Sequence, residues 1–558
     1  MSRLIIVTEN EAQKTVEGLY RDIERRIQAS QPGLCPVDLA EAFVHVCHSQ
    51  SCGKCTPCRV GLGQLEGLIE SVLDGSADMD TLKTIEKTAE GIYNSADCAI
   101  GFEAAKMVLR GIRGFYEDYA EHVQHGRCFA KLSQPVPCVS LCPAHVDVPG
   151  YVSLIHEGRY GDAVQLIRKD NPFPAACGLI CEHPCELRCR RTMVDKAINI
   201  RGLKRYAVEH EGEIPAPRIM DKTGKKIAIV GGGPSGLSAA YYLSIMGHDV
   251  MVYEQRKQLG GMLRYGIPAY RLPREILDHE IDGLKKAGFQ VKTDVSIGHD
   301  ISLKDLRKQY DAVYVSIGAH TDKKLGIPGE DAQGVISAVE MLRNIGDDDY
   351  PDFSGLNVIV VGGGNVAMDV ARSAIRLGAK TVKIAYRRRR VDMTALPEEV
   401  EGAIADGCDI VELHSPVRIE KDENGHCKGL VLKPQIIGGV RYGIPSPKDS
   451  QAPEVELKAD LVLVAIGQGI DFRKFEEYQE IPIESGRINA LDTSALKDVD
   501  GIFAGGDCVT GPATVIRAIA AGKTSAANID EYLGFFHEIK SDVTLPPVRF
   551  DDNAPRVV

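Results

Sequence analysis

Two glycine-rich turns constrain this 558-residue sequence more than any other feature. Each follows an apolar run and precedes a helical pattern, in KIAIVGGGPSGLSAAYYLSIMG and in LNVIVVGGGNVAMDVARSAIRLG. A buried strand that runs into a tight glycine turn and then into a helix is typical of a dinucleotide-binding βαβ unit. Because the pattern occurs twice, with Gly231 and Gly362 about 131 residues apart, we expect an α/β fold with two Rossmann-type domains.

The first turn has the spacing G-x-G-x-x-G, which is made by Gly231, Gly233, Pro234, Ser235 and Gly236. The first glycine permits the turn, the second lets the backbone approach a pyrophosphate, and the third lets helix and strand pack together. Glu254 ends the next predicted strand, DVMVYE, where an acidic side chain accepts hydrogen bonds from a ribose. The sequence therefore predicts a nucleotide site, and the alternative is a strand-to-helix turn without a ligand.

The second turn is made by Gly362, Gly364 and Ala367, and the strand after it ends in TVKIAYRRRR. Arg387 and Arg388 stand where a protein that binds the ribose 2′-hydroxyl carries an acid. Guanidinium groups suit a 2′-phosphate, so the sequence favours NADP over NAD. The alternative is a basic turn that only faces solvent.

A third pattern indicates that one of the two nucleotides is a flavin. In GIFAGGDCVTGPATVIRAIAAG, Asp507 follows a strand and two glycines, and a helix begins near Thr514. The acid can bond a ribityl hydroxyl, and the helix N-terminus can stabilise negative charge on a reduced flavin ring. The flavin and nicotinamide regions hold only Cys408, Cys427 and Cys508, and their spacing predicts no reducible disulfide.

Charge and hydropathy exclude several classes of protein. The net charge of −12 and the pI near 5.7 argue against an extended nucleic-acid footprint and against general attraction to anionic membranes. No run approaches the ~18 apolar residues that a membrane-spanning helix needs. The first residues, MSRLIIVTENEAQK, have neither the apolar length nor the cleavage site of a signal peptide. We therefore expect a cytoplasmic enzyme without membrane insertion and without nucleic-acid binding.

Thirteen of the sixteen cysteines lie at or before Cys189, and such crowding in a cytosolic chain indicates metal ligation. A three-plus-one set in SCGKCTPCR and SADCAIG consists of Cys52, Cys55, Cys58 and Cys98. This spacing favours a 4Fe-4S cluster, and tetrahedral zinc is the alternative. A second group consists of Cys138, Cys142, Cys177, Cys181, Cys185 and Cys189. Pro184 disfavours a continuous helix there, so we expect a loop wrapped around a cluster.

From about Cys138 to Leu533 the chain resembles the flavoprotein small subunit of NADPH-dependent glutamate synthase and the FAD–NADPH subunit of bifurcating ferredoxin–NADP transhydrogenase. The motifs that carry the resemblance are GGGPSG, GGMLRYGIPAYRLP, SIGA, GGGNVAMD, AYRRRR, VAIGQ and GGDCVTGPATVIRAIAAG. The resemblance implies an FAD domain interrupted by an NADPH domain. It assigns FAD to Gly231, Gly233, Gly236, Glu254, Gly261, Gly506 and Asp507. It assigns NADPH to Gly362, Gly364, Asn365, Arg387 and Arg388.

The segment from about Asp38 to Tyr119 resembles the C-terminal iron–sulfur domain of the NADH-binding subunit of respiratory complex I, through SCGKCTPCR and CAIG. That resemblance implies a 4Fe-4S centre and a docking module. The stretch NPFPAACGLICEHPCELRC is similar to the iron–sulfur domain of the glutamate synthase small subunit, which binds two clusters and carries an additional upstream C-x-x-C. Here only Cys128 lies upstream within reach.

The missing upstream pair affects the expected ligands of the second cysteine group. Cys142, Cys181 and Cys185 are the expected ligands, whereas Cys138, Cys177 and Cys189 compete for the remaining places. We expect two 4Fe-4S clusters in the whole chain, with sulfur ligands that allow a third.

The segments combine into one functional prediction. We expect a helical 4Fe-4S domain at 1–125, a second helical iron–sulfur domain at 126–220, an FAD domain at 221–350 and 461–558, and an NADP domain at 351–460. Such a chain converts two-electron into single-electron transfer, so we predict an oxidoreductase subunit that exchanges electrons with a partner redox subunit or a ferredoxin. The hydride step needs no acidic, basic or nucleophilic side chain, and no catalytic residue is predicted. The alternatives are a flavin-dependent disulfide or quinone reductase with structural metal sites and a zinc-stabilised assembly module.

Overall fold

The computed structural model of the chain describes residues 35–73, 75–125, 136–187, 189, 191, 196–441, 444–472, 481–497 and 499–546. The helical prediction for residues before 35 lies outside these ranges, as does Cys128. The chain divides into two compact units, residues 1–141 with 188–194 and residues 142–187 with 195–558. The segment boundaries predicted at 125, 220, 350 and 460 remain predictions.

In the first unit, amphipathic helices surround one apolar core, as the three- and four-residue spacing of their apolar residues predicts. They are α1 (Pro36–Ser49), α2 (Gly63–Leu73), α3 (Met79–Ser95), α4 (Ala99–Gly114) and α5 (Tyr116–His125). The unit also contains the short helix α6 (Pro137–Ser140). A π-helical segment, Pro57–Leu62, leads into α2. Helix α3 begins with a capping box, because Thr81 N–H donates to Asp78 at 2.8 Å and Asp78 N–H donates to Thr81 at 3.2 Å.

The second unit begins with five short helices, two of which carry a cysteine. They are α7 (Val148–His156), α8 (Tyr160–Asp170), α9 (Pro174–Ile180), α10 (Pro184–Leu187) and α11 (Ile200–Glu209). The predicted break at Pro184 is confirmed, because α9 ends at Ile180 and a new helix starts at the proline. Helices α9 and α11 cross closely, since a Cβ at Gly178 would lie 3.0 Å from the Cα of Arg205.

A parallel sheet carries the first glycine turn. Its strands are β1 (Lys226–Val230), β2 (Asp249–Tyr253), β3 (Gln290–Lys292), β4 (Ala312–Val315) and β18 (Ile502–Ala504). They pair in the order β18-β4-β1-β2-β3. Because β18 returns from the C-terminal part of the chain to pair with β4, residues 316–501 form an insertion in this half, which we call the flavin half.

The inserted residues build a second parallel sheet, which belongs to the nicotinamide half. Its strands are β6 (Val335–Ser337), β7 (Asn357–Val361), β8 (Thr381–Tyr386), β9 (Asp409–Glu412) and β14 (Leu461–Val464). The order is β6-β14-β7-β8-β9. Strand β1 lies between β4 and β2, and strand β7 lies between β14 and β8. Each central strand therefore has the next strand of the chain on one side and a later strand on the other, which confirms the predicted duplication of a Rossmann-type fold.

Antiparallel strands occur in the nicotinamide half and in the segment that leads from it to β18. They are β5 (Thr321–Asp322) with β15 (Gln468–Gly469), then β10 (His414–Lys421), β11 (Cys427–Arg441), β12 (Ile444–Asp449) and β13 (Val455–Lys458), and finally β16 (Ile483–Glu484) with β17 (Arg487–Ile488). Strand β11 pairs with β10, β12 and β13. None of these antiparallel strands contains residues of the two glycine turns.

Helices flank both parallel sheets. They are α12 (Pro234–Ile245), α13 (Met262–Tyr265), α14 (Arg274–Lys285), α15 (Leu303–Gln309), α16 (Ala338–Gly346), α17 (Asn365–Arg376), α18 (Pro397–Ala405), α19 (Asp507–Thr510) and α20 (Val515–Tyr532). Helices α12 and α20 approach closely, because a Cβ at Gly522 would overlap the carbonyl oxygen of Ser235. Throughout the described ranges, no helix combines the length and the apolar character that crossing a bilayer requires.

The close approach at Gly522 predicts the effect of adding one methyl group. Gly522→Ala forces α20 away from Ser235 and from the Cβ of Ser238, which would lie 2.9 Å from the new Cβ. We expect a loss of about 1–3 kcal/mol from overpacking, seen as a lower midpoint in thermal unfolding followed by circular dichroism. Gly283→Ala in α14 is the matched control, because its nearest neighbour would be the Arg168 guanidinium at 3.8 Å. An equal midpoint for both variants would contradict the prediction.

Candidate functional site

The first glycine turn joins β1 to α12 and leaves the helix N-terminus accessible. Gly231 has a φ of +110°, and a Cβ there would lie 2.5 Å from the carbonyl oxygen of Ser316. A Cβ at Gly236 would overlap the carbonyl oxygen of Gly231, so this glycine packs helix against strand. At Gly233 a Cβ would meet only the Cα of Gly261, at 3.7 Å. The turn therefore forms an open cradle at the positive end of α12.

Glu254 follows β2 and is buried beside this turn. Its Oε2 accepts a hydrogen bond from the N–H of Gly232 at 2.7 Å, and its Oε1 accepts one from the N–H of Arg256 at 2.9 Å. Burial raises the pKa of Glu254, and the two N–H groups oppose that rise. The carboxylate is held in place and keeps lone pairs that can accept hydrogen bonds from a ribose.

A cavity of about 410 Å³ opens on the cradle. Eight predicted cofactor-binding residues line it: Gly231, Gly233, Pro234, Ser235, Glu254, Gly261, Gly506 and Asp507. Asp507 is the first residue of α19, three residues after the end of β18, and burial raises its pKa to about 6. Backbone N–H groups at a helix N-terminus and carboxylates along one groove fit the pyrophosphate and the hydroxyl groups of a flavin dinucleotide. Thr514 is not part of this lining and is the N-cap residue of α20, close to its predicted start.

The second glycine turn joins β7 to α17 with the same local geometry. Gly362 has a φ of +150°, and a Cβ there would overlap the carbonyl oxygen of Ala465. A Cβ at Gly364 would meet only the hydroxyl of Thr394, at 3.5 Å. Ala367 is fully buried against the sheet. The N-terminus of α17 is therefore accessible to a pyrophosphate, as at the first turn.

Asn365, predicted to contact NADPH, has its side-chain amide engaged by protein groups. Its Oδ1 accepts a hydrogen bond from the N–H of Leu396 at 2.9 Å, and its Nδ2 donates to Glu182 at 3.4 Å. These bonds place Asn365 between the segment that precedes α18 and the loop that follows Cys181. The side chain therefore has a positioning role that its sequence motif did not indicate.

The arginines after β8 differ in their partners. Arg387 is exposed and forms no hydrogen bond or ion pair with the residues that the structure describes. Arg388 is half-buried and donates to the Tyr386 hydroxyl at 3.4 Å. Arg389 binds Asp392 through two N–H groups, each at 2.8 Å. Arg387 is thus available for an anionic ligand, whereas Arg389 is already paired.

A buried ion network fixes the nicotinamide half against the flavin half. Arg271 donates to Asp369 at 2.7 Å and forms an ion pair with Glu399 at 2.7 Å. The neighbouring Tyr270 ring lies under the guanidinium of Arg376, 4.0 Å from the ring centroid. Burial raises the pKa of Asp369 to about 6, against the opposing effect of Arg271. Sequence spacing did not indicate this network.

The three cysteines of the two nucleotide-binding halves are buried separately. Cys508 donates to the carbonyl oxygen of Gly505 at 3.2 Å, and Cys427 donates to that of Ala459 at 3.4 Å. Cys408 belongs to the core of the nicotinamide half. Within the described ranges no cysteine forms a disulfide, and these three do not pair with one another. The expectation that no dithiol accompanies the flavin cavity is consistent with these positions.

The three-plus-one cysteines come together in the first unit. Cys58 lies in the π-helical segment and has Cys52, Cys55 and Cys98 as charged neighbours. Cys98 is the N-cap residue of α4. Burial raises the pKa of Cys58 to about 12, whereas the backbone N–H groups of Asp97 and Cys58 lower the pKa of Cys55. These four sulfurs lie close enough for their charges to interact, which fits the ligand set of a 4Fe-4S cluster.

The buried sulfur of Cys58 packs directly against helix α4. A Cβ at Gly101 would lie 2.9 Å from the Cys58 sulfur, so only glycine keeps that side of the thiol clear. His45 and His48 lie near the motif in sequence but each binds Glu66 through Nδ1, at 2.5 and 2.6 Å. The thiols therefore fit a cluster without a histidine ligand.

The second unit brings together four cysteines of the second group: Cys142, Cys177, Cys181 and Cys185. A hydrogen bond from Cys177 lowers the pKa of Cys181 to about 6, and burial raises that of Cys185 to about 12. Cys177 is therefore the fourth cysteine of this set. The sequence had left three candidates for that fourth position. The other two, Cys138 and Cys189, fall in the first unit. Four sulfurs at one buried place again fit a cubane cluster.

Two buried charged residues beside these cysteines were missed by sequence reasoning. Lys204 lies on the buried face of α11 with Ile200 and Ala207, and a lysine in an apolar helical stripe was the available signal. Glu280 in α14 accepts hydrogen bonds from the first N–H groups of α9, at Ala175 and Ala176, at 2.5 and 2.9 Å. No local signal indicated Glu280, because its partners are 105 and 104 residues away in sequence.

Three family models match the chain. The model described as pyridine nucleotide-disulphide oxidoreductase matches residues 225–522. The NADH-ubiquinone oxidoreductase-F iron-sulfur binding region matches residues 38–122. Dihydropyrimidine dehydrogenase domain II, 4Fe-4S cluster, matches residues 109–214. The matches confirm the predicted fold class and the two iron–sulfur modules.

Three similar proteins cover most of the chain. The beta subunit of NADP(+)-dependent formate dehydrogenase from Moorella thermoacetica is 34% identical over 88% of this chain and 79% of its own. The beta subunit of NADPH-Fe(3+) oxidoreductase from Geobacter sulfurreducens is 34% identical over 89% and 79%. The small chain of NADPH glutamate synthase from Escherichia coli is 32% identical over 75% and 93%. The resemblance to the glutamate synthase small subunit is thus confirmed.

The cysteine geometry predicts selective loss of one cluster. Cys98→Ser should lower iron and acid-labile sulfide by about four atoms each per chain, because one cubane loses a ligand. Cys47→Ser is the matched control, since Cys47 is a buried thiol of the same unit and burial raises its pKa to about 12. Iron and sulfide analysis of anaerobically purified protein measures both. Full iron content in Cys98→Ser would contradict the assignment.

Proposed function

The chain belongs to the pyridine nucleotide-disulphide oxidoreductase family, and we propose that it is the electron-transfer subunit that links NADP(H) to a partner redox subunit through FAD and 4Fe-4S clusters. One observation carries the proposal. The second unit holds the flavin cavity, the nicotinamide turn and a buried set of four cysteines, whereas the described residues offer no cysteine pair beside the flavin cavity. Electrons that arrive as hydride therefore need an iron–sulfur exit.

Each nucleotide has a distinct set of proposed ligands. The flavin, when bound, supplies the exchange between a two-electron hydride and single electrons. The FAD ligands are Gly231, Gly233, Pro234, Ser235, Gly261, Gly506, Glu254 and Asp507, with Gly236 shaping the turn and Thr514 starting α20. The NADP(H) ligands are Gly362, Gly364, Arg387 and Arg388, with Asn365 positioning the start of α18. The Arg271 network fixes the two nucleotide-binding halves against each other.

The clusters follow from the two cysteine sets. Cys52, Cys55, Cys58 and Cys98 hold one cluster in the first unit, and Cys142, Cys177, Cys181 and Cys185 hold another in the second. Cys138 and Cys189 remain candidate ligands of a third. The flavin cavity and the second cysteine set lie in the same unit. Electrons therefore pass from the flavin to the second cluster first and then to the first cluster.

The partner is proposed to be another redox subunit, with a ferredoxin as the alternative. The similar proteins of Moorella and Geobacter are each named a subunit beta, and the one of Escherichia coli a small chain. The direction of flow depends on the partner's potential. The same sites serve oxidation of NADPH and reduction of NADP.

Blocking the second cluster should separate hydride transfer from single-electron transfer. In Cys185→Ser, NADPH should still bleach the flavin absorbance, because the nucleotide sites are intact. Reduction of a one-electron ferric acceptor should fall at least about tenfold, since the exit is removed. Stopped-flow absorbance and EPR after NADPH addition measure the two steps, with Cys408→Ser as the control. A wild-type flavin that NADPH reduces without any reduced iron signal would overturn the proposal.

The exposed arginine predicts cofactor preference. Arg387→Gln should weaken NADPH use by about 10- to 150-fold, because charge-assisted hydrogen bonds to a phosphate contribute about 1.5–3 kcal/mol. NADH use should not change, since NADH lacks the 2′-phosphate. Arg389→Gln is the control, because Arg389 is already paired with Asp392. Steady-state KM values for both nucleotides test this, and an equal loss for NADPH and NADH would contradict it.

A further inference from the structure

Lys204 is the one buried lysine in the core of the second cysteine set, within the part of the chain that the structure describes. Only 7% of its surface is exposed. It lies one residue before the point where α11 crosses α9, because Gly178 of α9 lies against the backbone of the next residue, Arg205. The tight crossing fixes the lysine stem beside the cysteines.

The crossing of α9 and α11 places Lys204 near the turn of α9 that carries Cys177, because Cys177 directly precedes Gly178. Its charged neighbours are the four cysteines of the second set: Cys177, Cys181, Cys142 and Cys185. No carboxylate of the described residues lies within ion-pair distance of its ammonium group. A buried cation without a counter-charge costs several kcal/mol. The position is reasonable only when the neighbouring sulfurs carry negative charge.

Iron ligation supplies that negative charge. Cysteines ligate iron as thiolates, and a cubane held by four thiolates is a net anion that gains one further negative charge on reduction. A fixed cation in a low-dielectric site stabilises the more negative state. The reduced form therefore benefits more from Lys204 than the oxidised form does.

We propose that the Lys204 ammonium is the buried counter-charge of the second cluster and raises its reduction potential, so that the cluster can accept electrons from the flavin. The inference rests on the proposed cluster at Cys142, Cys177, Cys181 and Cys185. It assigns the lysine a role in setting the driving force of electron transfer and no role as an iron ligand.

Two substitutions separate charge from shape. Lys204→Met keeps the length of the side chain and removes the charge, whereas Lys204→Arg keeps the charge. The matched control is Arg205→Gln, which removes the neighbouring exposed cation together with its ion pair to Glu209. The purified full chain is titrated electrochemically and followed by EPR. Cys185→Ser identifies the signal of the second cluster.

The expected result is a more negative midpoint for that signal in Lys204→Met. At a fixed potential the ratio of reduced to oxidised cluster should fall at least tenfold, which is about 59 mV for a one-electron couple. Lys204→Arg and Arg205→Gln should stay close to the wild type, and the signal of the first cluster should not move. Loss of the cluster in Lys204→Met with retention in Lys204→Arg would also support a counter-charge.

Other outcomes overturn the inference. An unchanged midpoint in Lys204→Met would show that the charge has no influence, while the proposed function would stand. Loss of the cluster in both lysine variants would show that the shape of the side chain or direct ligation matters and the charge does not. A wild-type chain that lacks any signal sensitive to Cys185→Ser would overturn the proposed second cluster together with this inference.

Discussion

Two polar connections hold helices α8 and α9 against the flavin half of the second unit. The carboxylate of Glu280 accepts both first N–H groups of α9, and the Lys523 ammonium in α20 donates to Asp170 in α8 at 2.5 Å. Burial raises the pKa of Glu280 to about 7, so its position carries a desolvation cost that the surrounding packing offsets. Electron transfer between a flavin and a cluster requires a fixed separation, and these contacts supply it from rigid helices.

The loop after α9 connects the second cysteine set to the nicotinamide half. Arg201 donates to the carbonyl oxygen of Cys181 at 3.1 Å and binds the carboxylate of Glu398, at the start of α18, at 2.7 Å. Glu182 in the same loop accepts the hydrogen bond from Asn365. A residue of the cysteine set is thus tied directly to the nicotinamide half, so the two redox sites share one framework.

Local features could be predicted from the sequence, because each is encoded within a few residues. The roles of Gly236 and Glu254 follow from strand–turn–helix spacing, and the structure places both accordingly. Tertiary features could not be predicted, because their partners are distant along the chain. Glu280 meets the start of α9 across 105 and 104 residues, and Arg271 meets Asp369 across 98 residues. The cofactor classes were therefore readable, whereas the residues that fix their mutual positions were not.

The pairing of β4 with β18 also sets an order of assembly. Strand β4 ends at Val315 and β18 begins at Ile502, whereas the last strand of the nicotinamide sheet ends at Val464. A nascent chain on the ribosome can close the nicotinamide half while the flavin half still lacks its edge strand and Asp507. Capture of the flavin is consequently one of the last events in biogenesis, after the neighbouring half has already folded.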